Sequence, residues 1–455
     1  MSQAVVDYLR SHRAEHLEWT RDLCRIPSIS TRPEHAGDVR RSVEFTRDLC
    51  RKAGLKAEIH ETGGHPLVYA EHCYAPGKPT LLVYGHVDVQ PTGDRKLWDA
   101  EPFDPVVKDD WLICRGSSDD KGQVLLYVRA AAAWLATEKK LPVNLKLLIE
   151  GEEEIGSPHL APFIEKHKDL LKCDAILISD TGMHEDGLPA ITAGTRGLVY
   201  KEIILKGPKY DLHSGSHGGS APNPAIILSK ILTSLHDAEG RVTIPGYYDQ
   251  VVDLSADVRK QLESIAQPEA AYMKDLGVTG LVGEKGYTAQ ERRTIRPTIE
   301  INGLTSGFQG EGANTIIPAR ASAKVSMRLV PNQPAAEISK KFDAAIRERC
   351  PSCVQLEILT HGSAADAYMA PIDSPVMQAA ARALDEAFDR KTVFIREGGT
   401  LPILPMFKRV LGADSVMLGF ASPYCNAHGP NEKARLPDLD RGAEAIGRLL
   451  GYLGK

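Results

Sequence analysis

Two histidines and a set of carboxylates, most of them at the ends of short apolar runs, are the groups in this chain equipped for chemistry. The segment Leu81-Leu82-Val83-Tyr84-Gly85-His86-Val87-Asp88 ends an apolar run and presents an imidazole and a carboxylate two residues apart. On an extended backbone both side chains leave on the same face. That suits a metal ligand with a carboxylate orienting its ring, and equally an ordinary hydrogen-bonded pair at a strand end. Arg115-Gly116-Ser117-Ser118-Asp119-Asp120-Lys121-Gly122 puts adjacent acids at the start of a helical stretch, where acids also act as caps. Val143–Ile149 runs directly into Glu150-Gly151-Glu152-Glu153-Glu154, four acids within five residues. Such crowding beside a buried strand is electrostatically costly unless a cation neutralises it. Ile176-Leu177-Ile178-Ser179-Asp180 ends another apolar run in an acid, and Ala427-His428-Gly429-Pro430-Asn431-Glu432 supplies a second histidine. Mixed nitrogen and oxygen donors suit Zn²⁺, with Mn²⁺ the next candidate.

These groups need elements that end where they stand. Thr80–Tyr84, Val143–Ile149 and Ala175–Ser179 are short continuous apolar runs, and Gly122–Ala136 has a helical pattern. Strands of that kind between helices indicate an α/β unit with a mostly parallel sheet covered on both faces. Ligand sites in such sheets lie outside the carboxyl ends of the strands. Past Gly194-Thr195-Arg196-Gly197 the texture changes. Strands are expected at Leu198–Lys206, Pro297–Asn302, Ala321–Leu329 and Val354–Thr360, with helices at Pro224–His236 and Ala336–Arg349. The stretch before Arg296 is polar and mixed. The expected architecture is a discontinuous first domain, residues 1–194 and 372–455, with a smaller α+β domain, 195–371, inserted between its parts.

Bulk properties exclude other classes. At 455 residues and net charge −5, with basic residues dispersed, the chain offers no stripe for nucleic acid. Its longest apolar stretches are too short to span a membrane. The first residues lack the apolar centre of a secretory leader and read as an amphipathic helix. The eight cysteines are mostly far apart, unlike a small disulfide scaffold. A soluble cytoplasmic protein is expected.

The segments GHVDVQP, RGSSDDKG, EGEEEIGS, ISD, DLHSG, RLVPN, REGGT and AHGPNEK, in this order from about Leu81 to Lys433, resemble the M20 metallopeptidases. They are most similar to the cytosolic nonspecific dipeptidase and carnosinase branch. The resemblance implies two metal ions held by His86, Asp119, Glu154, Asp180 and His428, with Asp119 as the bridge. It implies Glu153 as general base and Asp88 as the partner of the His86 imidazole, and leaves Glu152 outside the site. His213, in the DLHSG segment, would stabilise the oxyanion from across a homodimer interface, so the inserted domain would serve as lid and dimerisation domain. Arg328 would bind a substrate carboxylate, with Thr315, His361 and Thr400 lining the pocket. The resemblance implies Ser where Thr400 stands, so the hydroxyl is kept and the added methyl would narrow that pocket. The implied activity is hydrolysis of dipeptides or short peptides with a free C-terminal carboxylate. The rivals are an N-acyl-amino-acid deacylase using the same metals and base, and a non-catalytic scaffold, which the complete ligand set disfavours.

Overall fold

The apolar runs fold into strands buried on both faces. The computed structural model describes residues 3–184, 187–362 and 364–455, with the side chain of residue 257 left aside. The chain forms two compact units. One comprises Met1–Ala193, Ala370–Ile395 and Met406–Lys455, and the other Gly194–Met369 with Arg396–Pro405.

In the first unit the strands lie side by side in the order Lys56–His60, Leu67–His72, Asn144–Glu150, Thr80–His86, Ala175–Ile178, Asp414–Gly419 and Ala190–Thr195. The four strands from Asn144–Glu150 to Asp414–Gly419 are mutually parallel. Lys56–His60 and Leu67–His72 are antiparallel additions on one side, and Ala190–Thr195 is antiparallel on the other. The sheet is therefore mixed with a parallel centre, which corrects the expectation of a mostly parallel sheet. On one side the physical reason is the hairpin at residues 56–72, since a short connection joins neighbouring strands only in antiparallel pairing.

The helix Lys121–Glu138 is buried from Lys121 to Trp134. This explains its lack of a polar stripe: a helix enclosed on all sides is apolar all round. The indole of Trp134 donates to the carbonyl of Gly447, at 3.0 Å, in the helix Leu436–Leu453. No helix among the described residues is long and apolar enough to cross a membrane.

The second unit is built on a four-stranded antiparallel sheet, in the order Thr298–Ser306, Arg320–Leu329, Gly197–Lys206 and Gln355–Thr360. Alternation divides its faces. Val199, Ile203, Ile299, Val325 and Met327 pack into a core with Leu228 and Ile231 of the helix Pro224–Thr233 and with Phe342 of Ala335–Arg349. Thr298, Glu300, Ser326 and Arg328 share the opposite, polar face through the register Thr298 to Arg328 and Glu300 to Ser326. The polar stretch before Arg296 holds three short helices, Ala256–Ser264, Glu269–Leu276 and Ala289–Thr294.

Candidate metal centre

Register brings the strand ends of the first unit together. His86 lies opposite Glu150, and Tyr84 opposite Ile178, so Asp180 follows its strand close to the same level. Asp119 ends the loop before the helix Lys121–Glu138, Glu153 opens the short turn Glu153–Ile155, and His428 sits between Asp414–Gly419 and Lys433–Arg435. Two groups of ligand atoms result. His86, Asp119 and Asp180 form one, Asp119, Glu154 and His428 the other, and each group lies within 4.8 Å. Asp119 belongs to both. His86 Nε2 is 3.1 Å from Asp119 Oδ1 and 3.9 Å from Asp180 Oδ2. His428 Nε2 is 2.9 Å from Asp119 Oδ2 and 3.4 Å from Glu154 Oε2.

These separations fit metal ions. With metal–nitrogen and metal–oxygen bonds of about 2.0–2.2 Å, two ligand atoms on one tetrahedral ion stand roughly 3.4 Å apart. The histidine tautomer fits as well. His86 Nδ1 donates to the carbonyl oxygen of Asp88 at 3.1 Å, with the Asp88 carboxylate at 3.5 Å. Nε2 then faces Asp119 Oδ1, where a cation bound between them would take up its lone pair.

Electrostatics point the same way. Burial and the charge of Asp119 push Glu154 up to about 7 and hold Asp180 well above the usual carboxylate range. Burial also raises Glu153. Asp119 is the exception: burial opposes its charge, but hydrogen bonds from His428 and His86 outweigh that and hold it low. Burial likewise disfavours the His86 cation, yet its bonds to Asp119 and Asp88 keep it strongly basic. Carboxylates pressed toward protonation beside histidines drawn toward positive charge are relieved by a bound divalent ion.

The groups around these residues fix their positions. Asp88 is fully buried, and its carboxylate accepts from Ser30 Oγ at 2.6 Å and from the amides of Glu153 and Glu154 at 3.2 and 3.0 Å. It thus holds the acidic turn as well as facing the His86 ring. Glu152 points elsewhere, accepting from the amide of His65 at 2.7 Å and pairing with His159.

Three positioning groups escaped the sequence reading. Gln90 Nε2 donates to Glu154 Oε2 at 2.7 Å. Asp120 accepts from the His86 amide at 3.3 Å, and burial together with the Asp119 charge pushes its carboxyl up to about 8. Gly85 makes room for it, since a Cβ there would stand 2.6 Å from Asp120 Oδ2. Glu432 accepts from the amides of Gly116, Ser118 and Asp119 at 2.9, 2.9 and 3.0 Å and from Arg115 Nη1 at 2.8 Å. All three lie in segments already singled out by motif, but nothing local assigns them partners.

The residues read as substrate-binding lie in the second unit. Arg328 Nη1 donates to Thr400 Oγ1 at 2.7 Å. His361 Nε2 pairs with Glu202 at 2.8 Å. The strand Leu212–His213 pairs with Ile316–Ile317, and the Ser214 amide donates to the Thr315 carbonyl at 2.9 Å, so His213 and Thr315 are neighbours. These are three separate groupings within that unit: Arg328 with Thr400, His213 with Thr315, and His361 with Glu202.

Fold and site together define an α/β protein with two candidate ion positions sharing one carboxylate. The model of peptidase family M20/M25/M40 matches residues 82–451. Beta-Ala-His dipeptidase of Homo sapiens is 30% identical over 450 residues, covering 95% of this chain and 88% of that protein. Cys-Gly metallodipeptidase DUG1 of Candida albicans is 32% identical over 403 residues, covering 86% and 82%. The solved structure of an M20 family metallo-carboxypeptidase, Sso-CP2 from Sulfolobus solfataricus, superposes with a TM-score of 0.85 at 33% identity, covering 97% of this chain and 99% of that one. The chain belongs to peptidase family M20/M25/M40 and is a metal-dependent hydrolase acting on peptide or amide bonds.

Proposed function

We propose that this hydrolase is a dipeptidase, cleaving dipeptides or short peptides with a free C-terminal carboxylate. The observation that carries the reading is Asp119 shared between two ligand groups, with Glu153 beside them. His86, Asp119 and Asp180 would hold one ion, and Asp119, Glu154 and His428 the other, Zn²⁺ in preference to Mn²⁺. Such ions, when bound, polarise the scissile carbonyl and acidify the attacking water. Glu153, whose carboxyl burial raises, takes that proton on a carboxylate oxygen and returns it to the leaving amine. Asp88 keeps the imidazole of His86 oriented and ties down the Glu153–Glu154 turn. Arg328, braced by Thr400, receives the terminal carboxylate through its guanidinium fork, with Thr315 and His361 lining the pocket.

In this reading residues 1–194 and 372–455 form the catalytic domain and 195–371 a lid and dimerisation domain. His213 of one copy then serves the site of the other in a homodimer. Support comes from relatives whose names are dipeptidases. A cytoplasmic setting belongs to the same reading, since most of the eight cysteines are far apart in sequence, unlike those of a small disulfide scaffold.

The test is a product-release assay over dipeptides, tripeptides and N-acetyl amino acids, run with Zn²⁺ and with Mn²⁺. Dipeptide turnover that stops on chelation is expected. Turnover confined to the acetylated compounds would replace this reading with the deacylase one.

A further inference from the structure

The polar face of the second unit's sheet carries more positive charge than one substrate carboxylate needs. A cavity of about 760 Å³ beside Arg328 is lined by Arg196, Arg292, Arg293 and Arg296 as well. Two glutamates also line it. Glu284 is committed to Arg296, at 2.7 and 2.8 Å, and to Arg241, at 2.9 Å. Glu300 makes no ion pair among the described residues.

The other four arginines are held by neutral acceptors. Arg196 donates to the carbonyls of Gly398 and Arg296 at 3.1 and 3.3 Å and to Thr298 Oγ1 at 3.3 Å. Arg292 donates to the carbonyls of Glu284 and Val282 at 2.9 and 3.2 Å. Arg293 donates through Nε to Gln290 at 2.8 Å and lies 4.9 Å over the Tyr272 ring, with no acceptor among the described residues for its terminal nitrogens. Arg328 has only Thr400. Carbonyls, amides and hydroxyls orient a guanidinium without cancelling its charge. The cluster is also built into the loop carrying Thr400. A Cβ on Gly398 would stand 2.3 Å from the Arg293 carbonyl oxygen and 3.0 Å from Arg196 Nη2, so only glycine lets these elements meet.

We propose that this cavity is a second anion subsite, taking the side-chain carboxylate of an acidic C-terminal residue while Arg328 takes the terminal carboxylate. The proposal rests on the reading of Arg328 given above. It makes the enzyme selective for substrates ending in Asp or Glu. Arg293, with its fork free, is the principal contact.

The experiment compares kcat/KM for the matched pairs Ala-Glu and Ala-Gln, and Ala-Asp and Ala-Asn, on the metal-loaded enzyme. A preference of about tenfold for the acidic member, carried mainly by KM, is expected for a charge-assisted contact. In Arg293→Gln the ratio should fall to near unity. Calorimetry on the unaltered protein gives a measure independent of that variant's folding: glutamate should bind more tightly than glutamine. Cleavage of both members of each pair with equal efficiency would overturn the subsite and leave the dipeptidase reading intact. Failure to cleave any peptide with a free carboxylate would overturn both. Inorganic phosphate competing as well as glutamate would mean a general anion site and would also overturn the proposal.

Discussion

The carboxylate of Glu432 accepts a hydrogen bond from the backbone amide of Asp119 at 3.0 Å, across 313 residues of sequence. The same carboxylate binds the Gly116 and Ser118 amides and the guanidinium of Arg115, with both partners of that ion pair essentially excluded from solvent. One buried side chain therefore shapes the loop that presents Asp119 to both ligand groups. It also joins that loop to the segment carrying His428, whose carbonyl accepts from Arg115 Nη2 at 3.2 Å.

Glu432→Gln should weaken metal binding by about 10–100-fold, the usual penalty for disturbing groups that orient ligands. Competition with a chelator of known affinity measures this. Glu432→Ala should be worse, costing about 3–5 kcal/mol of stability because it strands the buried Arg115 charge. A denaturation midpoint equal to that of the parent protein would contradict this account.

Glu153 should be separable from the ligands. Glu153→Ala is expected to lower kcat by about 10²–10⁴-fold, the range for loss of a general acid–base group. Metal content, measured by elemental analysis after dialysis, should stay close to that of the parent. Loss of both metals would mean that Glu153 is a ligand, and the assignment of the base would fail.

Much of this arrangement was legible in the sequence where local physics dominates. Strands such as Thr80–His86 and Ala175–Ile178 are enclosed by neighbours on both sides, so they appear as unbroken apolar runs whose ends can be located. The acids and histidines at those ends could be picked out by type. The hairpin Lys56–His60 and Leu67–His72 gave no such signal, because its first strand mixes exposed and buried positions over only five residues. The helices of residues 256–294 were hidden by polar composition. One start was nonetheless written in the chain: Thr288 and Glu291 form a reciprocal capping box. The partnerships of Glu432, Asp120 and Gln90 depend on tertiary approach, which no local pattern encodes.

Glu150 provides a test by pH. Burial raises its carboxyl from 4.5 to about 8, against hydrogen bonds from Tyr84 at 2.5 Å and Ser157 at 2.8 Å that favour the charged form. A raised folded-state value means the neutral acid is the form the fold accepts. Its contribution to stability is complete below the unfolded value of 4.5 and is lost as pH rises through about 8. The metal-free protein should therefore lose Tm between about pH 5 and 9 more steeply than Glu150→Gln. Parallel Tm curves for the two proteins would show that Glu150 is not held neutral.

His213 tests the proposed dimer. It stands at the start of the single helical turn Ser214–His217 and accepts the Ser216 amide at 3.2 Å through Nδ1. If Nδ1 is the acceptor, Nε2 carries the proton and is free to donate to an oxyanion. Should that oxyanion lie in another copy, a His213→Ala protein and a Glu153→Ala protein would each be nearly inactive alone. After mixing under conditions that exchange subunits, heterodimers would contain one site with both groups intact. Random exchange at equal amounts makes about half of the dimers mixed, each with one intact site of two. Recovery of roughly a quarter of the parent activity is expected if the sites act independently. Exchange can be verified by mass spectrometry with one partner isotopically labelled. Proven exchange without recovery would place His213 in its own subunit's site or outside catalysis altogether.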